Sequence, residues 1–171
     1  MSELKGAKFT HEVTQSELEE FLSELRRLES EDDSSLMFLE RLQSYIEDET
    51  VISKENYSED EHSLNLLFLK SFNSIVGFIW IGEYSNEYAE DDEIIEADLA
   101  VWDIYLLPRY RRLGIGNQLY REALNVFKAE VTNPIVLADP HFENAVKFFN
   151  SLGFQQVEGS YVFLKSENLL I

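Results

Sequence analysis

Cysteine is absent from the sequence, which excludes disulfides, thiolate nucleophiles and thiolate metal sites. The three histidines, His11, His62 and His141, show no paired spacing, so no metal site is expected. No apolar run reaches the roughly 18 residues of a membrane span. The polar start Met1-Ser2-Glu3-Leu4-Lys5 also lacks the apolar stretch of a signal peptide. A cytoplasmic protein with no membrane partner is the expectation. Basic residues are scarce: 14 against 33 acidic ones, for a net charge of −19. A polyanion would be repelled by most of such a surface, which argues against nucleic acid as a partner.

The charge is unevenly spread. Gln15 to His62 holds 16 acidic and 4 basic residues, and Glu83 to Asp98 holds 8 acidic and no basic ones. Arg109 to Val131 reverses the balance with 5 basic against 2 acidic. A small anion at the basic segment and a cationic partner over the acidic ones fit this pattern, although acidic surface also serves solubility alone. With 171 residues and 44% apolar content, the chain has the size and substance of one domain, 1–171, with a real core.

Hydrophobic periodicity orders the elements. Lys8 to Val13 reads as a strand. Thr14 and Glu17 are spaced as a capping box for a helix with its stripe at Leu18, Phe21, Leu22, Leu25 and Leu28. A second helix carries Leu36, Leu39, Leu42, Tyr45 and Ile46, followed by a loop from Thr50 to His62 with a short strand near Val51. Leu64 to Lys70 and Ile75 to Glu83 read as a hairpin across Ser71 to Ser74, and Tyr84 to Glu93 as an acidic loop. Ile94 to Leu107 reads as a long strand. A helix follows with Leu119, Tyr120, Ala123, Leu124, Phe127 and Val131 on one side. Pro134 to Ala138 reads as a buried strand, and Asp139-Pro140 as the cap and first position of a helix presenting Phe142, Ala145, Val146, Phe149 and Leu152. Gly153 stops that helix, and Phe154 to Val157 with Ser160 to Phe163 complete a last hairpin. The order β-α-α-β-β-β-α-β-α-β-β predicts an α+β fold: a mixed, mostly antiparallel sheet flanked by about four helices.

Between the long strand and its helix lies Leu107-Pro108-Arg109-Tyr110-Arg111-Arg112-Leu113-Gly114-Ile115-Gly116-Asn117. Backbone N–H groups at a helix start lack intrahelical partners, and the helix dipole adds positive potential there. Gly114 and Gly116, without Cβ atoms, would let a phosphate approach the main chain, with Arg111 and Arg112 adding charge. The segment reads as a pyrophosphate cradle. Asn117 is either a side-chain donor or a helix-surface residue.

With these residues, the sequence resembles the GNAT superfamily of acyl-CoA-dependent N-acetyltransferases. Arg111-Arg112-Leu113-Gly114-Ile115-Gly116 is similar to the family's Arg/Gln-x-x-Gly-x-Gly/Ala signature, and Leu106-Leu107-Pro108-Arg109-Tyr110-Arg111 to its lead-in. Ala145 and Leu152-Gly153-Phe154 match a later signature. The motif-bearing part runs from about Leu99 to Leu164. The resemblance implies acetyl-CoA as acyl donor. Its pantetheine arm would pair with the backbone around Tyr105, Leu106 and Leu107, and its pyrophosphate would lie on Arg111, Arg112, Leu113, Gly114, Ile115 and Gly116. Two positions depart from the pattern. Phe142 stands where the family often has a pantetheine-contacting asparagine, with Asn144 two residues on, and Phe149 stands in place of the tyrosine that protonates the departing thiolate.

Acetyl transfer to an amine requires the neutral amine. A lysine-like pKa of about 10.4 lies about 3.4 units above neutrality, so deprotonation costs about 4.6 kcal/mol. A general base or a water wire must serve it. Asp103, just before the cradle, is the first candidate base, with Glu96, Asp98 and Glu83 behind it; each is otherwise a strand-end carboxylate or a substrate anchor. Tyr161 or a water is the candidate acid, Tyr161 being otherwise a hairpin residue. Backbone N–H groups of Leu106 and Leu107 are the candidates for polarising the thioester carbonyl. The expected function is acetyl transfer to a cationic small-molecule amine or a lysine side chain. The alternatives are an acyl-CoA-binding sensor or scaffold without catalysis, and a module that docks a basic protein. The resemblance also allows a homodimer.

Overall fold

Leucine and phenylalanine at Leu18, Phe21, Leu22, Leu25 and Leu28 wind one apolar stripe onto the first helix, and all five are buried. The computed structural model describes residues 4–28, 35, 37–40, 42–43, 64–84, 95–127 and 133–167. Within them, strand β1 (Ala7–Thr10) leads to helix α1 (Gln15–Leu28). The expected capping box is present: Glu17 N–H donates to Thr14 Oγ1 (3.2 Å) and Thr14 N–H to Glu17 Oε2 (2.8 Å). Residues 35, 37–40 and 42–43 are helical, with Phe38, Leu39 and Leu42 buried. Leu36, Tyr45 and Ile46, the Thr50 to His62 loop, the strand near Val51, most of the acidic loop after Tyr84 and Val131 lie outside the described residues.

Strands β2 (Leu64–Ser71) and β3 (Ser74–Glu83) form the expected hairpin. Strand β4 (Leu99–Leu106) follows, then a 3-10 turn (Pro108–Tyr110) and helix α2 (Ile115–Phe127). Strand β5 (Ile135–Ala138), helix α3 (Glu143–Ser151), β6 (Gln155–Gln156) and β7 (Phe163–Ser166) complete the chain. The seven strands lie in the order β1-β2-β3-β4-β5-β7-β6, antiparallel except for β4 with β5. The mixed, mostly antiparallel α+β sheet read from the sequence is the observed fold.

Two cores sandwich the sheet. One, under α2 and α3, holds Ile79, Ile81, Val101, Leu119, Tyr120 and Phe149. The other, under α1, holds Phe21, Leu25, Phe38, Phe78 and Tyr105. Phe21 meets Phe78 edge-on at 6.2 Å, so truncating it to alanine would cost about 3–5 kcal/mol.

Several boundaries differ from the sequence reading, among them the end of β1 at Thr10 rather than Val13. β4 starts at Leu99 rather than Ile94: Asp98 still bonds both neighbours, accepting from Tyr84 N–H (3.0 Å) and donating to Ile135 O (2.8 Å), but the Ile135 N–H is taken by its side-chain Oδ2 (2.7 Å). α3 starts at Glu143 with Phe142 as N-cap, so Asp139-Pro140 lies in the loop before it. The second strand of the last hairpin starts at Phe163 rather than Ser160, since Ser160 turns back to bond Val157 O (3.1 Å).

Candidate functional site

The site is built where β4 loses a neighbour. β5 pairs only with Leu99, Ala100 and Val101, so beyond Val101 the two parallel strands part and the rest of β4 has an open edge on that side. Register decides which groups reach that edge. Leu107 N–H donates to Val76 O at 2.9 Å, and Tyr105 and Asp103 stand opposite Phe78 and Trp80. Hydrogen-bonded and non-bonded pairs alternate in an antiparallel ladder, so Asp103, Tyr105 and Leu107 direct their backbone groups to β3. Those of Ile104 and Leu106 point to the open edge. Of the three residues expected from the sequence to present their main chain there, Leu106 does so and is joined by Ile104, whereas Tyr105 and Leu107 turn theirs to β3. Leu107 likewise cannot serve as a carbonyl-polarising donor while it bonds Val76, which leaves the Leu106 N–H.

The loop after β4 carries the strongest geometric signal. Arg112 has φ +63° and Gly114 φ +78°, two left-handed residues flanking Leu113 immediately before α2. Successive N–H groups in such alternating conformations converge into an anion-binding nest. The first intrahelical bond runs from Gln118 N–H to Gly114 O (3.3 Å), so the N–H groups of Ile115, Gly116 and Asn117 have no intrahelical acceptor and point out of the helix start. The left-handed conformation of Arg112 costs roughly 1–2 kcal/mol for a residue with a Cβ, and stored strain of this kind concentrates at ligand clamps.

The arginines have separate tasks. Arg111 Nε donates to Leu106 O at 2.8 Å, and its guanidinium lies 5.1 Å over the Tyr105 ring. It thus folds back and fixes the loop to the strand end. Arg109 reaches α1, donating to Glu24 Oε1 at 2.6 Å. The hydrogen bond from Arg27, then that from Arg109, hold the Glu24 carboxyl below its ordinary range. Arg112 is exposed, and Leu113 is an exposed apolar residue beside it.

Gly116 has a packing reason besides the phosphate approach read in the sequence. A Cβ there would stand 2.9 Å from Phe148 Cε2 and 3.6 Å from Leu106 Cδ1. Its missing side chain lets α3 close against the start of α2, whereas Gly114 supplies the left-handed turn. Phe148, which sequence reasoning missed, is thus the α3 residue that meets the loop; Asn144, one turn earlier and exposed, shares its helix face. Asn117 Oδ1 is buried with no hydrogen-bond partner.

Phe149 faces the core instead. It is buried and packs edge-on against Phe154 at 5.1 Å. Phe154 N–H donates to Phe149 O (3.1 Å) and Gly153 N–H to Asn150 O (3.0 Å), with Gly153 at φ +91°. This is a Schellman stop with its apolar contact, so the Leu-Gly-Phe stretch is a helix terminator that anchors α3.

Among the candidate bases, position discriminates. Glu83 pairs with Leu99, and Glu96 and Asp98 precede it, at the end of β4 roughly 23 Å from Leu106 at a strand's rise per residue. Asp98 is also committed to Ile135. Asp103 lies three residues from Leu106, is 5% exposed, and is the one charged side chain in the buried class among the described residues. Tyr161 sits in the β6–β7 connection, 86% exposed. Because β7 pairs Phe163 with Ala138, that connection lies at the end of the sheet where β4 and β5 part. Among the described residues, no group of three or more His, Asp or Glu is placed to hold a metal, and no helix is long and apolar enough to cross a membrane.

A model of the acetyltransferase (GNAT) family matches residues 18–154. Among solved structures, the chain is similar to the PaiA N-acetyltransferase of Thermoplasma acidophilum in complex with coenzyme A, with 14% identity and a TM-score of 0.59 over 95% of this chain and 98% of that one. It is similar to the Bacillus subtilis N-acetyltransferase YlbP in complex with coenzyme A, with 15% identity and a TM-score of 0.55 over 94% and 97%. It is also similar to Arabidopsis thaliana NAA60 in complex with a bisubstrate analogue, with 14% identity and a TM-score of 0.56 over 94% and 97%. At these identities the likeness is one of fold. A comparison with curated protein sequences finds no match.

Proposed function

The chain belongs to the acetyltransferase (GNAT) family, and from that premise we propose that it transfers an acetyl group from acetyl-CoA to a primary amine by direct attack on the thioester. One observation carries the reading: the left-handed pair Arg112 and Gly114 opens α2 beside the unpaired edge of β4. The nest and the free N–H groups of Ile115, Gly116 and Asn117 fit a pyrophosphate. The open edge at Ile104 and Leu106 fits an extended, amide-bearing arm by strand addition. Solved structures of this fold that contain coenzyme A support the same donor.

Acetyl-CoA supplies an activated carbonyl and a thiol leaving group. This chain's residues supply the rest. Leu106 N–H, on the open edge, donates to the carbonyl oxygen as it gains charge. Asp103 takes the proton of the incoming ammonium, directly or through water, so that the C–N bond forms as the C–S bond breaks. The leaving thiol has a pKa near 8.5 and departs readily at neutral pH. The attacking nitrogen gives up its second proton to water, and the departing sulfur takes one from solvent or Tyr161, because Phe149 has none to give. The acidic composition and the exposed Glu12, Glu19 and Glu20 around the start of α1 favour a cationic acceptor, a small molecule or a lysine side chain. The reading takes 1–171 as one domain working in the cytoplasm.

Thiol release from acetyl-CoA across a panel of amines tests this. Turnover with at least one amine is expected, and Asp103→Asn should lower kcat by about a hundredfold or more while acetyl-CoA still binds. A second reading, an acyl-CoA-binding sensor or scaffold, is favoured by Phe149 being committed to the core; binding without thiol release would select it.

A further inference from the structure

Strand β4 switches the faces of its side chains midway. Leu99 and Val101 belong to the core under α2 and α3, and so do Ile104 and Leu106. Strict alternation from Val101 would have sent residue 103 to that core as well. Instead the ladder with β3 shifts register between Trp80 and Ile81, and Trp102 is the extra residue. A bulge of this kind re-aims the side chain that follows it. Asp103 is turned to the α1 side, the face of Tyr105 and Leu107.

Directly opposite Asp103 stands Trp80. Opposed residues in an antiparallel pair share a face, so Trp80 and Asp103 are cross-strand neighbours on the α1 side. The neighbouring row toward the loop, Phe78 and Tyr105, is 0% and 3% exposed, sealed by Phe21 and Phe38. Trp80 is only half-buried at the margin of that cluster. Among the described residues, the cover ends where the indole begins. The pair suits a cation, because an ammonium is attracted by both a carboxylate and an indole ring.

We infer that Trp80 and Asp103 form the subsite for the cationic head of the acceptor, with Trp80 as a specificity-determining residue. This rests on the acetyl-transfer reading and deepens it. Asp103 receives the ammonium and then its proton, while the Trp80 face selects a charged head over a neutral one. The open edge of β4 at Leu106 lies just beyond, so an amine held here faces the donor from the α1 side.

The chain contains two tryptophans, Trp80 and Trp102, which gives a direct optical test. Tryptophan emission is titrated with n-butylammonium chloride and with its neutral counterpart n-butanol. The proteins are the full-length chain, Trp102→Phe, Trp80→Phe and Asp103→Asn, each checked for fold by circular dichroism. A saturable change is expected with n-butylammonium in the full-length chain and in Trp102→Phe, none with n-butanol, and none in Trp80→Phe. Asp103→Asn should weaken binding roughly tenfold. In thiol release with n-butylamine, Trp80→Leu should raise KM roughly tenfold and leave kcat little changed. No saturable response, an equal response to n-butanol, a response retained in Trp80→Phe, or an unchanged KM would each overturn the subsite. Calorimetry with acetyl-CoA on the same proteins separates the two claims. If acetyl-CoA fails to bind the full-length chain, the acetyl-transfer reading falls; if it binds all variants equally while the amine titrations coincide, the subsite alone falls.

Discussion

Replacing Gly116 with valine should destabilise the protein through one contact, and a second substitution should restore it. A Cβ at this position stands 2.9 Å from Phe148 Cε2 and 3.4 Å from Cζ, closer than carbon atoms pack. Alanine brings only that Cβ, and the half-buried Phe148 ring can yield to it. Leaving glycine in a helix contributes about 0.8–1.0 kcal/mol, so Gly116→Ala should be near neutral. Valine adds two methyl groups toward the same ring. Overpacking of this size costs about 1–3 kcal/mol, only partly offset by the gain in helix propensity. The net loss of about 1–2 kcal/mol should lower Tm by about 2–8 °C for a chain of this length. Phe148→Ala removes the obstacle, so the valine should cost at least about 0.5 kcal/mol less in that background. Urea midpoints of the four proteins close the cycle. Costs that simply add, within about 0.3 kcal/mol, would refute the packing role of Gly116.

Other expectations follow from the loop and from α1. Arg112→Gly removes a left-handed strain of roughly 1–2 kcal/mol at an entropic cost of about 0.5–1 kcal/mol; thermal melts should show slightly higher stability and calorimetry a weaker affinity for acetyl-CoA. Glu17 is held below its ordinary carboxyl pKa by the hydrogen bond from Lys70 and then by that from Thr14 N–H. A depressed folded-state pKa contributes stability above the ordinary value of about 4.5, and that stability is lost as pH falls through the folded pKa. Glu17→Gln should therefore lower Tm at pH 7, with the difference shrinking toward pH 3. A difference that stays constant over this range would contradict the ion-pair account.

Patterns local in sequence were the legible ones. The Thr14–Glu17 capping box, the α1 stripe, the β2–β3 hairpin and the Gly153 stop each depend on residues within a few positions of one another, and each is observed. What escaped depends on pairing between distant segments. Nothing near Trp102 in the sequence reveals the bulge, because the extra residue exists only relative to β3. The same holds for the parting of β4 and β5, which decides that Ile104 and Leu106 own the open edge. Asp139-Pro140 had the composition of a helix start, yet the helix begins at Glu143; a plausible cap does not fix where the chain leaves the sheet. Gly114 and Gly116 look alike in the motif. Backbone conformation separates them, one as a left-handed turn and the other as a contact with Phe148.

The central claim is that the loop from Arg112 to Gly116 holds the pyrophosphate of acetyl-CoA through main-chain N–H groups. Isothermal calorimetry with acetyl-CoA on the unmodified protein and on Gly114→Val measures it, with circular dichroism and a thermal melt establishing that the variant is folded. At φ +78°, valine strains the turn that shapes the nest. The account predicts saturable binding to the unmodified protein. Losing one to two charge-assisted hydrogen bonds, about 1.5–3 kcal/mol each, should weaken the folded variant by about a hundredfold. Absence of binding to the unmodified protein, or equal affinity in the folded variant, would contradict it.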